Sequence, residues 1–352
     1  MDLLLTWGGR YMVTINDVAR QAGVSRSTAS RAFVDNSSIK PETKKKVLQA
    51  ATNLGYSPNI NARGLVQHKH FMIGVFFTRL HETDTSTYFS NIITTLNSQL
   101  PTDYVLSVQG INQVKDFDQT IRNRIDGAIV FSQTKEDDEF IQKLIDANIK
   151  TVVALRKADQ PEVDNVYPDD AIGINAMVKY LHDAGHRKVG FINGPTDYAS
   201  PHVRHDALVK AADQYGMQIL KNASKWGHFK LSSGEELMSA IIEQPRNQWP
   251  SVVLCGSDDI AMGAIKACHQ HNVHVPKDIS IVGFDDIPYA RVMTPSLTTI
   301  SNPLAMMAKQ GISLLFDRIN NQAPMGKQTL TISPQLVRRS SVLVKDAELV
   351  DD

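Results

Sequence analysis

Seven short apolar runs, at residues 73–77, 104–108, 128–131, 151–154, 189–192, 252–255 and 279–284, recur between stretches of helical length. Antiparallel neighbours need only a tight turn, so strands that alternate with helices return to a sheet as parallel neighbours. The pattern predicts parallel sheets with helices on both faces. It suits a large enzyme as well as a binding protein. No glycine-rich phosphate loop of the kinase or dinucleotide type, nucleophile motif or metal-ligand set accompanies it.

At 352 residues the chain is long enough for two or three folded units. No apolar stretch approaches the roughly 18 to 20 residues that cross a bilayer. Residues 1–12 carry Leu3, Leu4 and Leu5 but also Asp2, without the basic start of a secretion signal, so a cytoplasmic protein is expected and these residues read as a remnant or an early start. Cys255 and Cys268 are too few for a disulfide framework and read as buried thiols. Net charge is zero overall, yet residues 13–66 hold eight Lys or Arg against three Asp or Glu, a surplus of five that the remainder cancels. A basic head on a more acidic body points to nucleic acid.

Within that head, Thr14 with Asp17 forms a capping pair before Ile15, Val18, Ala19 and Ala22 at helical spacing. Gly23 ends this helix. Ser25 caps a second, short one whose Ala29, Ala32 and Phe33 turn inward while Arg26, Ser27, Ser30 and Arg31 share the other face. Pro41 opens a third helix through Leu54, with Lys44, Lys45 and Lys46 outside and Gly55 beyond its end. Two helices across a tight turn, the second with an arginine-bearing face, suit a major groove. Arginine pairs with guanine edges, and Thr14, Ser25, Thr28 and the lysines suit phosphates. The alternative is a solvated helical surface.

The order Thr14-Ile15-Asn16-Asp17-Val18-Ala19, Ala22-Gly23-Val24-Ser25, Thr28, Ser30-Arg31, Gly55-Tyr56-Ser57-Pro58-Asn59, Ala62-Arg63 and Leu65 resembles the headpiece of the lactose-repressor/galactose-repressor family. The body resembles that family's periplasmic-binding-protein-like core over residues 71–344, through Asp126-Gly127, Gly185-His186, Gly194-Pro195, Ser257-Asp258, Ala261-Met262-Gly263-Ala264, Val275-Pro276, Gly283-Phe284-Asp285-Asp286 and Leu336-Val337-Arg338-Arg339-Ser340. The implied fold is an all-α helix-turn-helix headpiece plus an α/β core of two doubly wound parallel-sheet lobes. The implied bounds are 13–58 for the DNA-binding domain, 59–68 for a hinge helix and linker, and 69–345 for the ligand-binding and dimerisation domain. Its N-lobe takes 69–167 plus 294–323 and its C-lobe 168–293 plus 324–345.

The resemblance implies direct base readout by Arg26, Ser27 and Arg31, with Thr14, Ser25, Thr28, Ser30, Asn36, Asn59, Ala62 and Arg63 as further DNA contacts. Leu65 is implied to wedge into the minor groove, although spacing alone reads it as a core leucine. Gly64 stands where the family often has serine, which weakens a preformed hinge helix. Ala29 replaces the usual valine, with less volume to bury. Implied ligand contacts are Tyr88, Phe89, Arg204, Phe229, Ser257 and Asp285, at the carboxyl ends of strands. Aromatic faces cover a ring while a charged pair and a hydroxyl fix its polar groups. From the residues alone, Asp285 and Asp286 equally suit capping a turn and Arg204 equally suits the surface. The sequence Arg204-His205-Asp206-Ala207-Leu208 lacks the family's glycine and aromatic, and Ser257 replaces an asparagine or glycine.

The expected function is a non-enzymatic, sequence-specific repressor whose operator affinity is set by a small ligand. That ligand is a sugar or sugar phosphate, with a purine-like corepressor as alternative and a sugar-binding transport protein more remote. The expected partners are double-stranded operator DNA, the effector and a second copy of the chain, with no membrane, metal or cofactor. His269, His271 and His274 are expected to be solvent-exposed. The short acidic tail carries no heptad for tetramerisation, so a dimer is expected.

Overall fold

The computed structural model describes residues 13–33, 39–56, 69–80 and 87–344. The chain separates into two units, residues 1–71 and 72–352. In the first, Thr14 donates from its N–H and its hydroxyl to the Asp17 carboxylate at 3.0 and 2.7 Å, at the start of α1 (Ile15–Ala22). Those bonds hold the Asp17 carboxyl below its usual range. Gly23, at φ 66°, ends α1 in the left-handed conformation. Ser25 Oγ accepts the Thr28 N–H at 3.1 Å and caps α2 (Arg26–Arg31). Helix α3 (Pro41–Leu54) begins at a proline. Val18, Ala19, Ala29, Ala32, Val47, Ala50 and Ala51 form the buried centre of this unit.

The second unit holds two parallel sheets. The first contains β1 (Met72–Phe77), β2 (Val105–Gly110), β3 (Gly127–Phe131), β4 (Lys150–Ala154), β5 (Asp164–Pro168) and β11 (Thr329–Ile332), in the order β11-β5-β4-β3-β1-β2. Along it run α4 (Thr87–Gln99), the single turn α5 (Phe117–Thr120) and α6 (Asp138–Asp146). Phe140, Ile141 and Leu144 of α6 bury against Phe76, Ala128, Val130 and Val153.

The second sheet contains β6 (Lys188–Asn193), β7 (Gln218–Trp226), β8 (Val252–Cys255) and β9 (Ser280–Val282), in the order β7-β6-β8-β9. Helices α7 (Asp170–Asp183) and α8 (Ala199–Gln214) bury one face, on Val189, Phe191, Val252 and Leu254. The other face, Ile192, Val253, Cys255 and Ile281, lies under α9 (Leu231–Ile242) and α10 (Asp258–Gln270). Strand β10 (Thr299–Ser301) pairs antiparallel with β12 (Gln335–Val337), and α11 (Leu304–Ile319) returns to the first sheet.

This topology corrects the lobe limits read from sequence. Strand β11 pairs parallel with β5, so residues 329–332 belong to the first lobe, not the second. Leu297 and Ile300 lie in the second lobe's buried clusters, so the chain crosses back to the first lobe at 301–304 rather than at 294. The third crossing falls between β11 and β12. Both cysteines are buried, and His269, His271 and His274 are exposed. No described helix is long and apolar enough to cross a membrane.

Helices α9 and α10 approach until backbone meets backbone. A Cβ at Gly263 would fall on the Leu231 carbonyl oxygen, and one at Gly234 on that of Ile260. Neither obstacle is a flexible side-chain end, so the helices themselves must move apart. The substitution G263A is therefore expected to cost about 2 kcal/mol or more of stability, in the range of overpacked cores. Urea denaturation followed by circular dichroism measures it; an unchanged midpoint contradicts the close approach.

Candidate functional site

At the carboxyl ends of both sheets the two lobes enclose a cleft of about 390 Å³. All six residues expected to contact ligand line it: Tyr88 and Phe89 from α4, Arg204 from α8, Phe229 after β7, Ser257 after β8 and Asp285 after β9. A parallel sheet directs the loops after its strands to one edge, which is why residues about 200 positions apart in sequence converge there.

Arg204 is 4% exposed, which removes the surface reading. Its Nε donates to Asp170 Oδ2 at 2.8 Å and its Nη1 to the Gly256 carbonyl at 2.6 Å. Its guanidinium carbon lies 3.5 Å from the centre of the Phe284 ring. The ion-pair partner of Arg204 is thus Asp170, the first residue of α7.

Asp285 and the adjacent Asp286 have different roles. Asp286 accepts from Arg339 Nη2 at 2.6 Å and closes a structural pair. Asp285 faces the cleft from a strained backbone, φ 119°, and accepts from Asn302 Nδ2 at 3.0 Å. Burial pushes its carboxyl up to about 6, against the opposing pull of Arg204 and of the Asn302 amide. Burial also raises the Tyr88 phenol, and the Asp285 carboxylate adds to the rise.

Ser257 caps α10, its Oγ accepting the Ile260 N–H at 3.2 Å. Its hydroxyl proton stays available to an acceptor in the cleft. Phe229 lies over Gly194, where any Cβ would collide with its ring, and this accounts for a glycine at the end of β6. Phe89 meets Phe77 at 5.1 Å between ring centres, and Phe77 stacks on Phe131.

Several lining residues were not singled out from the sequence. Arg156 is 6% exposed, donates to Ser132 Oγ at 2.7 Å and pairs with Asp138. Ser132 Oγ donates to Asp137 Oδ2 at 2.7 Å, and Thr78 donates to that same oxygen at 2.6 Å. Arg79 reaches across the mouth from the first lobe to Asp197 of the second at 2.8 Å. Asn302 and Asp259 also line the cleft. Their only signal in the sequence was position just after a strand or helix boundary.

In the first unit Arg26, Ser27, Ser30 and Arg31 are exposed together on α2, and Thr14 and Ser25 are exposed at helix starts. Ser25 Oγ is shared with the hydroxyls of Ser27 and Thr28, each at 2.8 Å. Asn36, Asn59, Ala62, Arg63 and Leu65, with Gly64, lie outside the described residues.

Residues 14–59 match the model of bacterial regulatory proteins of the lacI family, and residues 178–342 match a periplasmic binding protein-like domain. The probable HTH-type transcriptional repressor ExuR of Bacillus subtilis is 34% identical over 94% of this chain and 98% of its own. The HTH-type transcriptional repressor PurR of Photorhabdus laumondii is 33% identical over 97% and 99%. In fold, the chain is similar to the lac repressor dimer bound to operator and the anti-inducer ONPF, with TM-score 0.80 and 23% identity over 94% of this chain and 99% of that one. It is also similar to the transcriptional regulator CelR in complex with cellobiose, with TM-score 0.70 and 23% identity over the same shares.

Asp285 titrates near 6 in the folded chain and near 4 when unfolded. Between those values the folded state holds more protons, so stability falls as pH rises through the window. The substitution D285N removes this loss while leaving an oxygen for Asn302 Nδ2. It is expected to stabilise the protein by about 2 kcal/mol at pH 7.5, the displacement discounted for partial exposure, and by almost nothing at pH 4. Urea titrations at the two pH values check it; an equal effect at both contradicts the assignment.

Proposed function

The chain belongs to the lacI family of bacterial regulatory proteins and is a DNA-binding transcriptional repressor, and from that premise we propose that it grips its operator as a cytoplasmic homodimer whose affinity is set by a carbohydrate in the cleft. It acts by binding rather than by catalysis. The observation that carries this reading is the convergence of three aromatic faces, a buried arginine, a hydroxyl and a carboxylate around one sugar-sized space. A purine-like corepressor is the second reading, because Tyr88, Phe89 and Phe229 also suit a planar ring.

In the head, Arg26, Ser27 and Arg31 are assigned to base edges, and Thr14, Ser25, Thr28, Ser30, Asn36, Asn59, Ala62 and Arg63 to the backbone and neighbouring contacts. Leu65 is assigned to the minor groove, from a hinge within residues 59–68 that forms when two chains meet on DNA. Two half-sites need two copies of the head, which supports the dimer. An effector that favours the lobe arrangement unsuited to paired hinges weakens operator binding, and operator weakens effector binding by the same factor. A corepressor has the opposite sign.

Fluorescence anisotropy with a pseudopalindromic operator from upstream of the gene, at fixed salt and with a panel of sugars, tests the reading. Tight binding released by one sugar is expected. Binding that is weak, salt-sensitive and indifferent to sequence overturns it. The substitution R31A is expected to cost about 1–3 kcal/mol and to relax specificity at one base, whereas K45A weakens all sequences alike. Sedimentation showing only monomer at operator-binding concentrations contradicts the dimer.

A further inference from the structure

Helix α8 carries Arg204 in its second turn, and the start of this helix is completed by the other lobe. The first four N–H groups of a helix have no partner within it, and the side chain just before the helix ordinarily supplies one. Tyr198 stands at that position and supplies none. Instead the Ala199 N–H, the first of α8, donates to the Gln133 carbonyl of the first lobe at 2.7 Å. The Gln133 N–H donates to Thr78 Oγ at 2.8 Å, and the Thr78 hydroxyl donates to Asp137 Oδ2 at 2.6 Å. Thr78 and Asp137 are both buried, so the carbonyl offered to α8 is held by the first lobe's own interior.

Two further contacts fall on the residues just before Ala199. Arg79 of the first lobe donates to Asp197 Oδ2 at 2.8 Å, and its guanidinium carbon lies 5.8 Å from the centre of the Tyr198 ring. The carboxylate of Glu136, also of the first lobe, favours the charged form of Arg79. On its other side the Tyr198 ring lies 6.3 Å from that of Phe229, on the wall of the cleft. The first lobe thus holds three consecutive residues, 197–199, where α8 has donors to satisfy and where a helix favours a negative charge such as that of Asp197. All these contacts join the same two segments, so parting the lobes breaks them together.

We propose that Arg79 and Gln133 of the first lobe close on Asp197, Tyr198 and Ala199 of the second as an interlobe clasp, which caps α8 from across the mouth and sets the balance between this lobe arrangement and a more open one. Closure gives α8 its missing acceptor and holds the Tyr198 ring beside Phe229. Opening returns the Ala199 N–H to water and separates Arg79 from both of its partners. The helix whose start is capped in this way is the one that fixes Arg204, so the state of the clasp is felt at the cleft through a rigid element. The clasp holds whether the cleft takes a sugar or a planar ring.

Hydrogen exchange of the full chain, with no sugar added and read at single residues, tests it. The Ala199 N–H is expected to exchange at least about tenfold more slowly than an unstructured amide, and an unprotected Ala199 overturns the proposal. Arg79 and Asp197 are about 40% exposed, so R79Q and D197N retain the fold. Each is expected to speed exchange at Ala199 by about two- to fivefold, and the double variant R79Q/D197N by no more than either alone. Additive effects, or none, overturn the pairing. The substitution A199P deletes the donor at the first helical position, where proline is favoured, after a residue already extended at φ −97° and ψ 148°. Its circular dichroism is expected to match that of the unsubstituted chain while small-angle X-ray scattering shows a larger radius of gyration. Scattering that A199P leaves unchanged overturns the clasp.

Discussion

A guanidinium buried to 4% exposure at Arg204 sets the terms for the second lobe. Removing such a charge from water costs several kcal/mol, and only partners fixed in advance repay it. They come from three places: Asp170 at the start of α7, the Gly256 carbonyl at the end of β8, and the face of Phe284 after β9. Arg204 thus fastens one helix and two strand ends to each other. Truncating one member of a buried pair leaves the other charge uncompensated, at about 3–5 kcal/mol, so the pocket and the lobe stand or fall together.

A second buried group positions the acidic wall. The Asp258 carboxylate accepts the Thr299 hydroxyl at 2.6 Å and the Ile287 N–H at 2.9 Å, and its own N–H donates to the Phe284 carbonyl at 2.7 Å. Gly283 admits that carboxylate, since a Cβ there would fall on Asp258 Oδ1. The segment Gly283-Phe284-Asp285-Asp286 then reads residue by residue. The glycine makes room, the phenylalanine carries Arg204, the first aspartate turns into the cleft and the second pairs with Arg339. Gly185-His186 has a similar account. His186 bonds to Ser251 Oγ at 2.9 Å and to the Leu343 carbonyl at 3.0 Å, tying the end of the described chain to the sheet.

Apolar runs revealed β1, β3, β4, β6 and β8, because central parallel strands are buried on both faces and read as unbroken hydrophobic stretches, and the edge strands β2 and β9 carried runs as well. Strand β7 forms a sheet edge on which only Ala223 is fully buried, and β11 is half-exposed along its length, so neither carries such a run. The misplaced lobe limit follows from that polarity. Arg204 and Asp285 were legible as charged residues just after strands or in a matching motif. Their partners were not, since Asp170 lies 34 residues from Arg204 and Asn302 lies 17 from Asp285, and only the packing of α7 on α8 and the second crossing between the lobes bring them together.

The contrast between these buried bonds and those at the mouth bears on how a small ligand can move the lobes. Among the described residues the mouth is crossed by the Arg79–Asp197 ion pair, with both side chains about 40% exposed, by Arg79 over the Tyr198 ring, and by a backbone bond from the Ala199 N–H to the Gln133 carbonyl at 2.7 Å. An exposed pair contributes at most about 1 kcal/mol, and a backbone hydrogen bond about the same. The lobes are stiff inside and lightly fastened to each other. A ligand bound between them therefore needs only a few kcal/mol of preference for one arrangement to shift the population decisively, well within what one buried carboxylate and a few hydroxyl contacts supply. Pairing inside each lobe leaves local rearrangement little room to absorb that preference.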